Sequence, residues 1–261
     1  MPESNLRLAL YSTLAVLAVF ALAFGALFGW RKYQEYKMKR GCIIRVTRSG
    51  DIHVDGRRID IKDLDEYLIK RARASRDWNG KIRATSPEYR QPFPLRVVSD
   101  DDCLYDNVQQ IIDSALRTEI ITRIIFSAPR GEETSIYFGP YVPKEAGRVY
   151  IDASLVRVKL LWYSPDGKPR YTGNDGKVVL KIRYKVFGEP GRPDWAAFER
   201  HLRKEYEERM WNLADERDLT PIMLDGRKYV PMKYVLKTLR IIHKVGFGEK
   251  DIFLAAPEIP Y

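Results

Sequence analysis

The sequence predicts an α+β fold: one N-terminal transmembrane helix followed by two tandem small α+β domains, each a sheet with two helices on one face. The first observation behind this is a repeat. Pro94-Leu-Arg-Val-Val runs through a helical pattern to Ile124-Ile-Phe-Ser-Ala-Pro129, and Pro221-Ile-Met-Leu runs through a matching pattern to Ile252-Phe-Leu-Ala-Ala-Pro257. The second is a single long apolar segment at the start of the chain. The third is that the hydrophobic period around each copy reads strand, strand, helix, strand, helix, strand. The expected boundaries are an anchor and charged stalk over 1–41, a first domain over 42–130, a linker over 131–154 and a second domain over 155–261.

Leu6 to Trp30 is about 25 residues long with Arg7 as its only charge, enough to span a hydrocarbon core of about 30 Å. A cleaved signal peptide would have a shorter apolar core and a small-residue cleavage site, whereas this run ends in Phe28-Gly-Trp-Arg-Lys. An uncleaved anchor follows. Ala18, Ala21, Gly25 and Gly29 recur at helical spacing and form one small-residue face, the candidate site for packing against another membrane helix. From Leu8 to Trp30 there is no Asp, Glu, Lys, Arg or His, so the segment offers no group for a proton pathway. Arg31, Lys32, Lys37, Lys39 and Arg40 follow the helix, and by the positive-inside rule they argue for a cytoplasmic body.

In the first domain, Ile43–Thr47 and Ile52–Val54 flank a turn at Arg48-Ser-Gly-Asp51, and Asp55-Gly56 makes a second turn. Asp60 is placed to cap a helix over about Ile61–Ser75, with Leu64, Tyr67, Leu68 and Ala72 on one face. Trp78 to Phe93, with Pro87 and Pro92, reads as a polar loop. Leu95–Val98 is a short buried strand, and Asp102 is expected to cap a helix that turns Val108, Ile111, Ile112, Ala115 and Leu116 inward. Arg123–Phe126 closes the unit. In the second domain, Val156–Tyr163 and Val178–Val186 are strands separated by turns at Ser164–Gly167 and Asn174–Gly176. Gly188–Pro193 is a loop, and Asp194 caps a helix bearing Trp195, Phe198, Leu202, Tyr206 and Met210. Ile222–Leu224, a turn at Asp225-Gly226, a helix burying Val235, Leu239 and Ile242, and a strand over Asp251–Leu254 complete it.

The net charge of +10 favours anionic partners, whether nucleic acid, acidic lipid headgroups or acidic polymers such as cell wall, but acidic residues are interleaved almost everywhere and no block of cations reads as a nucleic-acid arm. The two cysteines, Cys42 and Cys103, are too few for a disulfide framework. Lys39-Arg40-Gly41 before Cys42 is not a lipoprotein context. The three histidines, His53, His201 and His243, fall in different elements. Asp100-Asp-Asp102 cannot all face one ion, and no metalloprotease, P-loop, nucleophile-elbow or dinucleotide signature is present. The chain therefore reads as no enzyme, with no cofactor and no metal.

The stretch Ile44-Arg-Val-Thr-Arg-Ser-Gly-Asp-Ile-His-Val-Asp-Gly-Arg-Arg-Ile-Asp-Ile-Lys-Asp-Leu64, with Pro94–Asp100 and Arg123–Pro129, resembles the extracytoplasmic domain of the ExbD/TolR family. Trp195–Leu202, Pro221–Asp225, Val230–Leu239 and Ile252–Pro257 repeat the resemblance. It implies a bitopic inner-membrane protein of biopolymer transport or energy transduction with a periplasmic body. It also implies partnership with an ExbB/TolQ/MotA-like channel subunit or with other chains of its kind, and the possibility of a homo-oligomer. Family members carry a carboxylate in the membrane helix, and this chain has none there. The resemblance thus points to an accessory member that binds or transmits force rather than moving protons. Two other readings stand beside it: a structural envelope protein that holds an anionic polymer, and a membrane-tethered cytoplasmic module.

Overall fold

The computed structural model describes residues 19, 20, 22, 24–30, 32, 41–83, 94–118, 121, 123–137, 156–169, 171–212 and 222–254. The chain divides into two compact units, Met1–Gly41 and Cys42–Tyr261.

In the first unit, residues 19, 20, 22 and 24–30 are helical. Val19, Phe20, Leu22, Phe24, Leu27, Phe28 and Trp30 all stand exposed, from 56% to 74%. Among the described residues no helix is long and apolar enough to cross a membrane. The transmembrane helix expected over 6–30 is therefore not established by the structure, because 1–18, 21 and 23, with Ala18 and Ala21 among them, lie outside the described residues.

The second unit holds two sheets built to one plan. The first repeat contributes β1 (Cys42–Val46), β2 (Ile52–Val54), β3 (Arg57–Ile59), α1 (Ile61–Arg83), β4 (Pro94–Ser99), α2 (Tyr105–Arg117), β5 (Arg123–Ser127) and β6 (Thr134–Tyr137). The second contributes β7 (Val156–Tyr163), β8 (Lys177–Ile182), β9 (Lys185–Val186), a two-stranded ribbon of β10 (Gly188–Glu189) and β11 (Arg192–Pro193), α3 (Trp195–Asn212), β12 (Ile222–Gly226), α4 (Met232–Val245), a 3-10 turn (Glu249–Asp251) and β13 (Ile252–Leu254). The sheet orders are β3-β2-β1-β4-β5-β6 and β9-β8-β7-β12-β13. With β6 set aside they are the same order.

The central strands of the two sheets also pair in the same way. Val97 lies beside Ile44 in a parallel pair and Ile44 faces Val54 across an antiparallel one. In the same places Leu224 lies beside Val158, and Val158 faces Ile182. Period-two alternation buries Cys42, Ile44 and Val46 in β1, and Val156, Val158, Leu160 and Trp162 in β7. The helices cover those faces with Leu64, Leu68 and Ala72 of α1, Ile111 and Ala115 of α2, Phe198 and Leu202 of α3, and Val235 and Leu239 of α4. All of these belong to one continuous core, each large aliphatic contributing about 1.5–3 kcal/mol by its burial. Even the ion pair between helices is repeated. Arg117 Nε is 2.7 Å from Asp65 in the first repeat, and Lys244 Nζ is 2.8 Å from Glu199 in the second. Both pairs are exposed, so each is worth roughly 0–1 kcal/mol.

The structure corrects several boundaries. α1 continues to Arg83, into the first part of the expected loop, since polarity alone does not stop a helix and the first proline comes at Pro87. The long strand expected over 178–186 folds back at Arg183, which takes φ 51°, into the hairpin of β8 and β9. Gly188–Pro193 is a paired ribbon rather than an open loop. Asp225 and Gly226 continue β12 opposite Lys159 and Leu160, and the turn falls two residues later, closed by Val230 N to Arg227 O at 3.0 Å. The span expected to be linker begins with β6, which adds an edge strand beside β5. Asp194 does cap α3, accepting from Ala197 N at 2.9 Å.

Candidate functional site: the junction between the two repeats

Asp102 does not cap α2. The residue before that helix is Leu104, and the residue before α4 is Pro231; neither offers a side-chain cap. The first amides of a helix have no partner within it, and here each helix finds acceptors in the other repeat. Tyr105 N donates to Val230 O at 2.9 Å and Asp106 N to Lys228 O at 3.1 Å. In return Met232 N donates to Cys103 O at 2.8 Å and Lys233 N to Asp101 O at 3.0 Å. Leu104 and Pro231 themselves meet as an isolated antiparallel bridge. They hold equivalent places in the repeat, so the four bonds form two pairs related by a local twofold axis between Leu104 and Pro231. The two helices cap each other reciprocally.

Side chains close over this ladder. Tyr105 is fully buried, and its ring lies where any side chain at Gly226 would be, 2.8 Å from an added Cβ. Its hydroxyl is buried without a hydrogen-bond partner among the described residues, and burial pushes its pKa up. Asp102, released from capping, receives Lys233 Nζ at 2.7 Å, and that bond holds its carboxyl below the usual aspartate range. Lys228 Nζ stands 3.8 Å from Asp106 on the opposite flank.

A second clasp lies at the other end of α4, where β6 reaches its C-terminal turn. Arg123 donates to Glu249 at 2.5 Å, and the Ser135 hydroxyl donates to the same carboxylate. His243 places Nε2 at 2.8 Å from Ser135 O and Nδ1 at 3.1 Å from Phe247 O. Arg240 donates to Glu132 O at 2.6 Å. Burial alone would raise the Glu249 pKa, but the Ser135 hydroxyl and the Arg123 guanidinium together bring it below its ordinary 4.5. A lowered carboxyl stabilises the fold above the unfolded pKa and loses that contribution as pH falls through the folded value. The full chain should therefore lose stability in acid from about pH 4.5 downward, and Glu249→Gln should flatten that slope while lowering stability at neutral pH. Denaturant midpoints across the pH range check this; an unchanged slope would remove Glu249 from the clasp.

The residues singled out in the sequence are not brought together. Gly25 and Gly29 are helical and exposed, with nothing within 4 Å of an added Cβ at either. Asp100 accepts from Arg48 N at 3.0 Å, bracing the β1–β2 turn. His53 lies on β2 opposite Arg45, and His201 lies on α3 near Lys185 and Glu205. Cys42 and Cys103 are both buried and unpaired, their thiols pushed up to about 12 and about 11 chiefly by burial. Among the described residues no three of His, Cys, Asp and Glu are grouped to hold a metal ion. The junction's main-chain donors and acceptors are engaged with one another, which suits holding the two repeats together.

The fold and the junction define a class: a duplicated α+β unit closed on itself about a local twofold axis. No family model, no curated protein and no solved structure matches the chain.

Proposed function

We propose that this protein is a non-catalytic, ExbD/TolR-like component of an envelope energy-transduction or transport complex. Its N-terminal segment anchors it in the inner membrane, and its two repeats lie on the periplasmic side. There they bind and transmit force beside an ExbB/TolQ/MotA-like channel subunit or further chains of this kind, without carrying protons. The reciprocal capping of α2 and α4 supports this most directly, because a pull on one repeat reaches the other through main-chain hydrogen bonds and a common core. The exposed apolar residues between Val19 and Trp30 support the anchor, since a helix apolar on all sides is covered by lipid or by other helices.

The test is co-purification of the full chain from native membranes. A polytopic channel subunit should accompany it, and Gly25→Leu with Gly29→Leu should reduce its recovery at least several-fold by holding the helix backbones apart. Recovery unaffected by both changes would exclude the small-residue face, and the absence of any membrane partner would overturn the reading. The net charge of +10 favours a second reading, a structural envelope protein holding cell wall or another anionic polymer. Sedimentation of the chain with purified cell-wall sacculi tests that one.

A further inference from the structure

The two repeats differ most informatively at one turn. In the first, the turn between β2 and β3 is Asp55-Gly56, with φ 48° and 88°. Aspartate and glycine adopt that conformation readily, and Asp55 is tied inward by Arg71 at 2.9 Å and by Ile43 N at 3.3 Å. The same place in the second repeat, between β8 and β9, holds Arg183-Tyr184. Arg183 takes φ 51° with a long side chain, a conformation that disfavours it. Tyr184 is 96% exposed and Val186 is 48% exposed. The turn thus presents a cation in an unfavourable backbone conformation together with two apolar groups facing solvent.

Behind the tip lies an excess of positive charge. Lys181 faces Lys159 across the strand pair, an opposition of like charges that weakens a sheet. Burial lowers the Lys159 pKa, and Arg157, Lys181 and Arg227 lower it further. Asp225, the acidic group beside them, is held by Arg157 at 2.6 Å. Around the corner His201 is likewise lowered, first by burial and then by Lys185, with Glu205 at 3.7 Å on its other side. Lys181 Nζ sits 6.0 Å from the Tyr184 ring centre.

We infer that the β8–β9 hairpin is a second membrane contact, in which Tyr184 and Val186 enter the interfacial layer and Lys181, Arg183 and Lys185 meet the phosphates of anionic lipid headgroups. The inference rests on the reading of the N-terminal segment as a membrane anchor. A tyrosine has an apolar body and a polar tip and settles at headgroup depth. Each cation near an anionic surface multiplies partition about five-fold. A body already tethered to the bilayer needs only local contact, not capture from solution. A soluble polyanion would be met by the charges alone and would leave the exposed Tyr184 and Val186 without a role.

The test uses the full chain reconstituted into vesicles of phosphatidylcholine, with or without phosphatidylglycerol, each lipid in brominated form. Tyr184→Trp places a reporter at the exposed tip, read as the difference from the parent chain. The introduced indole should be quenched at least about three-fold more in the anionic vesicles. That excess should vanish in the Lys181→Ser, Arg183→Ser, Lys185→Ser variant, and in roughly 1 M salt, where screening acts over about 3 Å. A chain that floats with vesicles while its indole stays unquenched overturns this contact and leaves the anchor standing. Equal quenching in both compositions overturns the headgroup assignment. A chain that floats with neither overturns the anchor reading and this inference together. An indole unmoved by lipid but shifted by cell-wall sacculi assigns the hairpin to a polymer instead.

Discussion

Ile111→Asp should unfold both repeats in one transition. Ile111 is fully buried on α2, in the core that runs without a break into the second sheet. An unpaired carboxylate there costs at least several kcal/mol, a large share of the roughly 5–15 kcal/mol that holds a domain of ordinary stability. Loss of α2 also removes the amides that occupy Val230 O and Lys228 O, and the acceptors used by α4. The damage is therefore not confined to the first sheet. Leu239→Asp, at a residue 1% exposed on α4, should act the same way from the other side. Amide hydrogen exchange reads both sheets separately. If Ile111→Asp frees β1 and β4 while β7 and β12 keep their protection, the repeats are independent and the junction is weaker than its geometry implies.

Gly188→Ala should be the second most damaging change, and Gly56→Ala supplies its control. Both glycines have positive φ, 81° and 88°. An added Cβ at Gly56 meets nothing within 4 Å, so Gly56→Ala carries only the conformational term, about 1–2 kcal/mol. At Gly188 the same atom would stand 2.3 Å from Arg192 O and 2.4 Å from Asp194 N. Those are backbone atoms of β11 and of the residue that caps α3, so relief means opening the ribbon and shifting the cap. The total should exceed about 3 kcal/mol. Denaturant midpoints of the two variants decide it; equal losses would mean that the ribbon yields freely.

Much of the fold could be read from the residues, and what could not be read has physical reasons. The repeat was visible because Val97 and Leu224, and the helices after them, carry the same apolar spacing, and both residues lie on strands paired in parallel with the first strand of their sheet. The Arg183 hairpin was hidden because Lys181, Arg183 and Lys185 alternate with apolar residues, as they would along one long strand, and arginine does not signal a tight turn. Aligning it with Asp55-Gly56 would have exposed it. The junction was missed for a different reason. Asp102 has the right chemistry for a cap, but the acceptors that won are main-chain oxygens more than a hundred residues away in sequence, and no pattern records them. The only hint was negative: Leu104 and Pro231, immediately before two strong helices, cannot cap them. The clasp of Arg123, Ser135, His243 and Glu249 left no local trace, since each residue comes from a different element.

Because Leu104 and Pro231 belong to one polypeptide, their pairing does not respond to dilution. Two separate chains meeting through such a surface would part at low abundance, whereas a covalently joined pair keeps its partner at any copy number. The two halves are also present at a fixed ratio of one to one and need not stay interchangeable. Among the described residues the first half carries the extra edge strand β6, and the second displays Tyr184. A single chain thus occupies the stoichiometric place of a dimer, with its self-complementary surface already filled. A further copy of the chain would therefore have to meet it through a surface other than this one.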